Sequence, residues 1–143
     1  MTGVQPTRAR RWLMAAILVA CSGACGSGPA TPDRGPLPEG RWIASAVTGV
    51  CLSVASTGCD LVAGCGHGQF PQPVVGTDNT FAVDGTYRIE AGPVSINPGP
   101  PAHFSGSVTG SQITVTVVPT GSLPPATYVL SPASGGRCAV PCL

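Results

Sequence analysis

Beyond residue 22, glycine and proline divide this chain into short segments. The 143 residues include 20 glycines and 16 prolines, and proline disrupts both helix interiors and central sheet strands. Short runs rich in valine, isoleucine and threonine lie between these residues, which is the composition of β-strands. We therefore expect an all-β fold: a small antiparallel β-sandwich or barrel of six to eight short strands.

The clearest strand pair lies in residues 102–118, where apolar and polar residues alternate on both sides of Gly110. A two-residue turn, at Thr109-Gly110 or at Gly110-Ser111, pairs even positions of the first strand with odd positions of the second. Both apolar sets then lie on one face of a hairpin. Further strands are expected at 42–47, 50–55 and 128–130.

Two other segments carry mixed signals. Residues 56–75 combine glycines, prolines and cysteines, so we expect an irregular loop pinned by disulfides. In residues 81–90, a tight turn at Asp84-Gly85 would place the apolar residues before and after it on opposite faces. Either the sheet is covered on both sides there, or Gly85 forms a bulge that shifts the register.

The N-terminus is basic and then apolar. Residues 1–11 contain three arginines and no acidic residue, and the apolar run Trp12–Ala20 follows. This layout is typical of a secretory signal peptide. The apolar run is shorter than the roughly 18 residues that a membrane-spanning helix needs. Sec export and, because of Arg10-Arg11, twin-arginine export both remain open.

The apolar run ends in Leu18-Val19-Ala20-Cys21, which resembles the lipobox of bacterial lipoproteins. The resemblance implies that diacylglycerol is transferred to the Cys21 thiol and that the chain is cleaved before this residue. Ser22 at the next position resembles lipoproteins sorted to an outer membrane. The alternative is ordinary signal-peptidase cleavage after Ser22-Gly23-Ala24, which would leave Cys25 as the first residue.

These features divide the chain into three parts. We expect a lipoprotein signal peptide at 1–20, a lipidated flexible tether at 21–38, rich in proline and small residues, and one all-β domain at 39–143. Beyond residue 20 the chain has four arginines against six carboxylates, a formal charge of −2. This charge argues against nucleic-acid binding, which needs a basic surface, and against a polybasic membrane surface.

Seven cysteines become an even set of six once Cys21 is acylated, and an even set in an exported chain indicates disulfides. A bond from Cys138 or Cys142 back to the 51–65 segment would close the longest loop and stabilise most. Six cysteines allow 15 pairings, so the connectivity stays open. The disulfide candidates are Cys25, Cys51, Cys59, Cys65, Cys138 and Cys142.

A zinc site is the competing interpretation of these cysteines. Cys59, Cys65 and His67, together with Cys138 and Cys142, are of ligand type, but they lack the Cys-x₂-Cys spacing of structural zinc sites. An oxidising compartment also favours disulfides over free thiolates. We therefore expect neither a metal nor a cofactor.

No pattern in the sequence predicts catalysis. His67 and His103 are expected to be surface histidines, and Ser105 the polar phase of a strand. Asp78 and Asp84 have turn-like contexts, and Glu90 falls at a strand end, so no carboxylate pair is predicted. A histidine within hydrogen-bond reach of a serine or carboxylate would favour an enzyme instead.

Gly40-Arg41-Trp42, before the first expected strand, resembles the Gly-x-Trp opening of lipocalins. The resemblance implies a β-barrel with a ligand cavity, whereas about 100 residues favour a barrel filled by side chains, with Trp42 as a core aromatic. We expect a non-enzymatic binding or structural role in the cell envelope, anchored by lipid outside the cytoplasmic membrane, at an outer membrane or the cell surface. The partner, protein or small ligand, is not indicated. The alternatives are a lipocalin-like small-ligand carrier and a small secreted hydrolase or hydrolase inhibitor.

Overall fold

A computed structural model describes residues 34–90 and 98–135, together with Cys138 and Cys142. The expected signal peptide, with Cys21 and Cys25, lies outside the described residues. The described part contains strands and no helix, which confirms the all-β prediction. The strands are β1 (Gly35–Pro36), β2 (Gly40–Ala44), β3 (Val50–Ala55), β4 (Gly58–Ala63), β5 (Gly66–Phe70), β6 (Val74–Val75), β7 (Thr80–Ile89), β8 (Pro101–Thr109), β9 (Gln112–Pro119) and β10 (Ala126–Ala133).

Eight of the strands close into a barrel, so the barrel alternative is the one that forms. Its order is β10-β2-β3-β4-β5-β7-β8-β9, and every pair is antiparallel. Each barrel strand is therefore followed along the chain by its neighbour, and β10 returns to pair with β2. Closure leaves the barrel without an unpaired edge strand. Strands β1 and β6 pair separately as a two-stranded sheet.

The barrel has two distinguishable ends. At the entry end, β2 begins, β10 ends, and the turns at 56–57 and 110–111 connect strands. The β1–β6 sheet lies at this end, because β6 follows the end of β5 and precedes the start of β7. The far end carries the connections 45–49, 64–65 and 120–125.

Side chains fill the barrel interior. The rings of Phe70 and Phe104 stack with their centroids 4.3 Å apart, a favourable aromatic separation. Trp42 is 7% exposed and belongs to the core, as expected for a core aromatic. The side chains that are fully buried are Phe104, Leu37, Leu52, Leu61, Ile113, Leu130, Val115 and Val117.

Glycines inside the strands make room for these rings. A Cβ at Gly66 would overlap the Tyr87 hydroxyl, and one at Gly68 would come within 2.9 Å of the Phe104 ring. Both glycines belong to β5, so the expectation of an irregular loop at 56–75 is wrong. The segment instead folds into β4, β5 and β6, with tight turns at 56–57 and 64–65. Gly64 adopts φ +58° in the second turn, a conformation that favours glycine.

The 81–90 segment forms neither a turn nor a bulge. Strand β7 runs unbroken from Thr80 to Ile89, so Phe81, Val83 and Tyr87 all have the same phase and face the core. Gly85 has the same inward phase, at the point where β7 packs closely against Phe70 of β5. The absence of a side chain at this position lets the strand continue without a clash.

The hairpin expected at 102–118 is confirmed. Strands β8 and β9 pair with Phe104 opposite Val117 and with Thr109 opposite Gln112, which places the turn at Gly110-Ser111. Gly110 adopts φ +58° there. The expected strands at 50–55 and 128–130 also form, whereas β2 ends at Ala44, before the expected limit of 47.

The folded part begins earlier than the expected boundary at residue 39. Gly35–Pro36 forms β1, and Leu37 is completely buried. The Leu37 amide donates to the Pro73 carbonyl at 2.9 Å, and Gln72 Nε2 donates to the Leu37 carbonyl at 2.8 Å. The proline-rich residues 34–38 are therefore held by strand pairing and burial, so the expected tether is shorter by this stretch.

Candidate functional site

A cluster of polar side chains lies on the outer surface of the barrel, across β4, β5 and β7. The strand register places Asp60 opposite Gln69 and His67 opposite Arg88. Glu90 follows the end of β7, and its amide donates to the Cys65 carbonyl at 2.7 Å. We call these five residues the charge cluster.

Arg88 is the hub of the charge cluster. Its guanidinium contacts Glu90 Oε1 at 2.7 Å through both Nε and Nη2, and its Nη1 donates to Gln69 Oε1 at 3.3 Å. Arg88 Nη2 also lies 2.8 Å from His67 Nδ1. Because guanidinium only donates, His67 Nδ1 accepts this bond, and the proton of the neutral imidazole is on Nε2. That Nε2 lies 3.4 Å from Asp60 Oδ1.

The charge cluster is buried at one side and open at the other. Glu90 is 5% exposed, and the His67 and Arg88 side chains are 12% and 11% exposed, whereas that of Asp60 is 49% exposed. Residues 98–100 cover part of the charge cluster. Gly99 packs against the Arg88 side chain, and the Pro100 carbonyl accepts a hydrogen bond from the Tyr87 amide. Buried carboxylate and guanidinium groups are stable only when paired, and Arg88 and Glu90 meet that need.

A groove of about 380 Å³ opens beside the exposed side of the cluster. Asp60 and Gln69 line it from the cluster, and Ser53 lies opposite Asp60 on β3. Gln69 Nε2 donates to Asp60 Oδ1 at 3.2 Å, which orients the carboxylate. The groove therefore offers a fixed acceptor and neutral hydroxyl and amide groups to a polar ligand.

The second histidine also meets a carboxylate. His103 Nδ1 lies 2.8 Å from Asp84 Oδ1 on the outer face of β7 and β8, with side chains 50% and 89% exposed. His103 is at the surface as expected, whereas His67 is only 12% exposed because Arg88 and Glu90 pack around it, and both histidines lie within reach of a carboxylate. In the described hydrogen bonds, however, neither imidazole contacts a serine, threonine or cysteine, so the nucleophile of a hydrolytic triad is missing from both pairs.

The other singled-out polar residues have local roles. Asp78 accepts from the Thr80 amide at 3.0 Å and from the Thr80 hydroxyl in the turn before β7. These hydrogen bonds lower the pKa of the Asp78 carboxyl. Asp84 lies within β7 rather than in a turn, and Ser105 lies within β8, opposite Ala82.

Four of the six candidate cysteines form two disulfides. Cys51 pairs with Cys138 and Cys65 with Cys142, across sequence separations of 87 and 77 residues. Both bonds tie the C-terminus back to the 51–65 segment. The zinc interpretation loses these cysteines as ligands, and no group of three or more metal-binding side chains occurs in the described ranges.

Cys59 departs from the expected disulfide set, because its thiol is free and buried. Cys59 lies on β4, and its side chain belongs to the core cluster. The neighbouring strand β3 carries Cys51, which is bonded to Cys138. Burial, and then the neighbouring Asp60 carboxylate, raise the pKa of Cys59 to about 12. The thiol therefore stays protonated and unreactive at neutral pH.

Sequence reasoning missed the charge cluster as a unit. Treating 56–75 as a loop hid the alternation that places Asp60, Gln69 and His67 on the outside of a hairpin. The signal was nevertheless present: Gly64-Cys65 separates the runs 58–63 and 66–70, which have the lengths of two short strands joined by a tight turn.

The chain was compared with known proteins in three ways. No protein-family model, no curated protein and no solved structure matches it. Within the described residues no helix is both long and apolar enough to cross a membrane. Any assignment of function therefore depends on the residues and geometry described above.

Proposed function

We propose that this chain is a bacterial lipoprotein whose barrel is displayed outside the cytoplasmic membrane and binds or organises partners through its outer surface. The observation that carries the proposal is the pair of disulfides, Cys51–Cys138 and Cys65–Cys142. Disulfides persist in oxidising compartments and are rare in the cytosol. An exported chain with a basic and then apolar N-terminus fits that requirement.

The anchor follows from the lipobox-like Leu18–Cys21 segment. A single acyl chain holds a protein on a membrane only marginally, whereas two or more, such as a diacylglycerol with an added palmitate, anchor it stably. An acylated Cys21 also accounts for an anchored protein without a membrane-spanning helix. The cell envelope, at an outer membrane or at the cell surface, is the corresponding location.

A role on the outside of the barrel fits the packing better than a carrier role. The interior positions are occupied by stacked and buried side chains, including Phe70 and Phe104, whereas lipocalin-like carriers need a cavity there. The groove beside Asp60 and Gln69 lies instead on the outer surface. The histidine–carboxylate pairs His67–Asp60 and His103–Asp84 meet the geometric criterion given above for an enzyme, so the hydrolase alternative stays beside the binding role.

The anchor is tested by comparing two single-cysteine variants of the full chain. In a bacterial host that processes lipoproteins, we expect wild type and Cys25→Ser to incorporate radiolabelled palmitate and to fractionate with membranes. Cys21→Ser should lose the label, because its thiol is the acceptor. Equal labelling of Cys21→Ser and wild type, or labelling of none of the three chains, would contradict the proposal.

A further inference from the structure

Among the described residues, one side of the barrel carries no charged side chain on its outer surface. The outward-facing positions of β9 and β10, together with the last outward position of β2, are threonine, serine, valine or isoleucine, with Gln112 and Ala133 at the entry end. The Thr116 and Thr127 hydroxyls hydrogen-bond to each other at 2.8 Å. We call this surface the neutral face, and its residues are Ile43, Thr114, Thr116, Val118, Thr127, Val129 and Ser131.

The neutral face also concentrates exposed apolar side chains. Ile43 is 37% exposed, Val118 40% and Val129 49%. Val47 and Leu123, also exposed, lie in the far-end loops that adjoin it. Of the seven large apolar residues that are strongly exposed in the described ranges, only Val74 and Ile89 lie elsewhere. Contiguous apolar surface of this kind marks interaction sites.

The rest of the outer surface differs in character. Asp60, Arg88 and Asp84, with both histidines, lie on β4, β5, β7 and β8. In the described residues, Arg41 and His103 lie at the border of the neutral face: Arg41 Nη1 donates to the Ser134 carbonyl at 3.1 Å, and His103, which contacts Asp84, lies opposite Val118. Charge is thus segregated to one half of the barrel.

We propose that the neutral face is where two copies of this chain pack side by side. When a surface meets its own copy, like charges oppose each other wherever the surface is charged, and such contacts are costly. The neutral face avoids this cost, while its valine and isoleucine side chains lose water contact and its hydroxyls can pair across the interface. The charged half of the barrel lacks this self-complementarity.

The position of the N-terminal segment supports a second copy as the occupant. Arg34 begins the described chain at the entry end, where its amide donates to the Val75 carbonyl. A two-fold axis parallel to the strands places both copies of Arg34 at the same end of the pair. The 12 residues between Cys21 and Arg34 span up to roughly 40 Å, so both Cys21 lipids reach one membrane. This step depends on the proposed anchor.

The size of the face predicts a weak dimer. Three strands are about 14 Å wide and eight residues about 26 Å long, which gives roughly 350 Å². Stable complexes bury about 800 Å² on each partner. The pair should therefore dissociate in dilute solution and form where anchoring holds copies at high effective concentration.

Photo-crosslinking of the full chain in vesicles tests this pairing. A benzophenone amino acid replaces Val129 on the neutral face or Val74, which is 53% exposed on β6. We expect a crosslinked species of twice the chain mass from position 129 and at least tenfold less of it from position 74. With the probe at Val118, Val129→Glu should reduce the crosslinked dimer tenfold, while Val74→Glu should leave it unchanged.

The outcomes separate the dimer from the anchor. A chain that proves lipid-free but crosslinks at Val129 at several hundred micromolar supports the dimer and rejects the anchor. A chain that is lipidated but gives no dimer from position 118 or 129 overturns the dimer alone. Crosslinks from position 129 to lipid, or to a protein of another mass, also overturn pairing of copies. Matching urea midpoints of all variants show that each one has folded.

Discussion

At the residue scale, glycine determines how the interior is filled. Gly106 of β8 lies directly against the Thr114 carbonyl and the Phe81 ring, so even a methyl group at this position overlaps both. The ring therefore occupies the space that a side chain would have taken. Because backbone is one of the two neighbours, the overlap cannot be relieved by moving a flexible side chain.

We expect Gly106→Ala to lower the free energy of unfolding by about 2 kcal/mol, the usual cost of overpacking a core. Urea denaturation measures the loss, with Ser105→Ala on the same strand as the matched control, expected within about 0.5 kcal/mol of wild type. Equal stability of the two variants would mean that the Phe81 ring does not pack on Gly106.

Cys59 gives a second test at this scale. Burial raises the pKa of Cys59 to about 12, so the folded state favours the neutral thiol. The contribution of Cys59 to the free energy of unfolding is therefore fully present below the ordinary thiol pKa and is lost as the pH rises from that value towards 12. At pH 8 we expect Cys59 to resist dithionitrobenzoate in folded protein and to react once urea unfolds the chain. The difference between wild type and Cys59→Ala isolates this thiol. Rapid reaction of Cys59 in the native protein would contradict its burial.

At the element scale, the charge cluster links β4, β5 and β7. Replacing Arg88 by methionine removes the guanidinium that contacts the buried Glu90 carboxylate at 2.7 Å, so we expect a loss of about 3 kcal/mol in unfolding free energy. Asp84→Asn on the same strand, at a side chain that is 89% exposed, should change stability by less than about 0.5 kcal/mol. A loss below 1 kcal/mol in Arg88→Met would show that water already solvates Glu90.

The two disulfides act on the unfolded chain. Their loops of 87 and 77 residues overlap, so with Cys65–Cys142 intact the Cys51–Cys138 bond closes only the short path through 51–65 and 138–142 and should contribute about 3 kcal/mol. We expect the double variant Cys51→Ala/Cys138→Ala to unfold at a clearly lower urea concentration than wild type. A loss under about 1 kcal/mol would mean that the unfolded chain is already compact without the bond.

The elements also show how far sequence patterns reach. The β8–β9 hairpin was predictable because alternation and a glycine turn agree. Strands β4 and β5 were not, because Gly66 and Gly68 indicate a loop locally, and only the distant Tyr87 and Phe104 rings make them strand residues. Buried contacts between remote segments override the local signal in both cases.

At the scale of the whole molecule, the barrel buries its apolar side chains inside and places two different surfaces outside. The interior and the two disulfides hold the fold, while the outer surface divides into the charge cluster with its groove and the neutral face. The sequence predicted the disulfide-stabilised β fold from cysteine parity and strand spacing. It did not predict the charge cluster, since this depends on the register of β4, β5 and β7, and the local sequence of β4 and β5 indicates a loop.

The intact mass of the protein, extracted from its native membrane fraction and measured before and after reduction, tests the central proposal most directly. We expect a chain that begins at Cys21, carries acyl groups, and gains four hydrogen atoms on reduction, two for each disulfide. A soluble, lipid-free chain beginning at Cys25, or an unchanged mass after reduction, would contradict an anchored, disulfide-stabilised barrel.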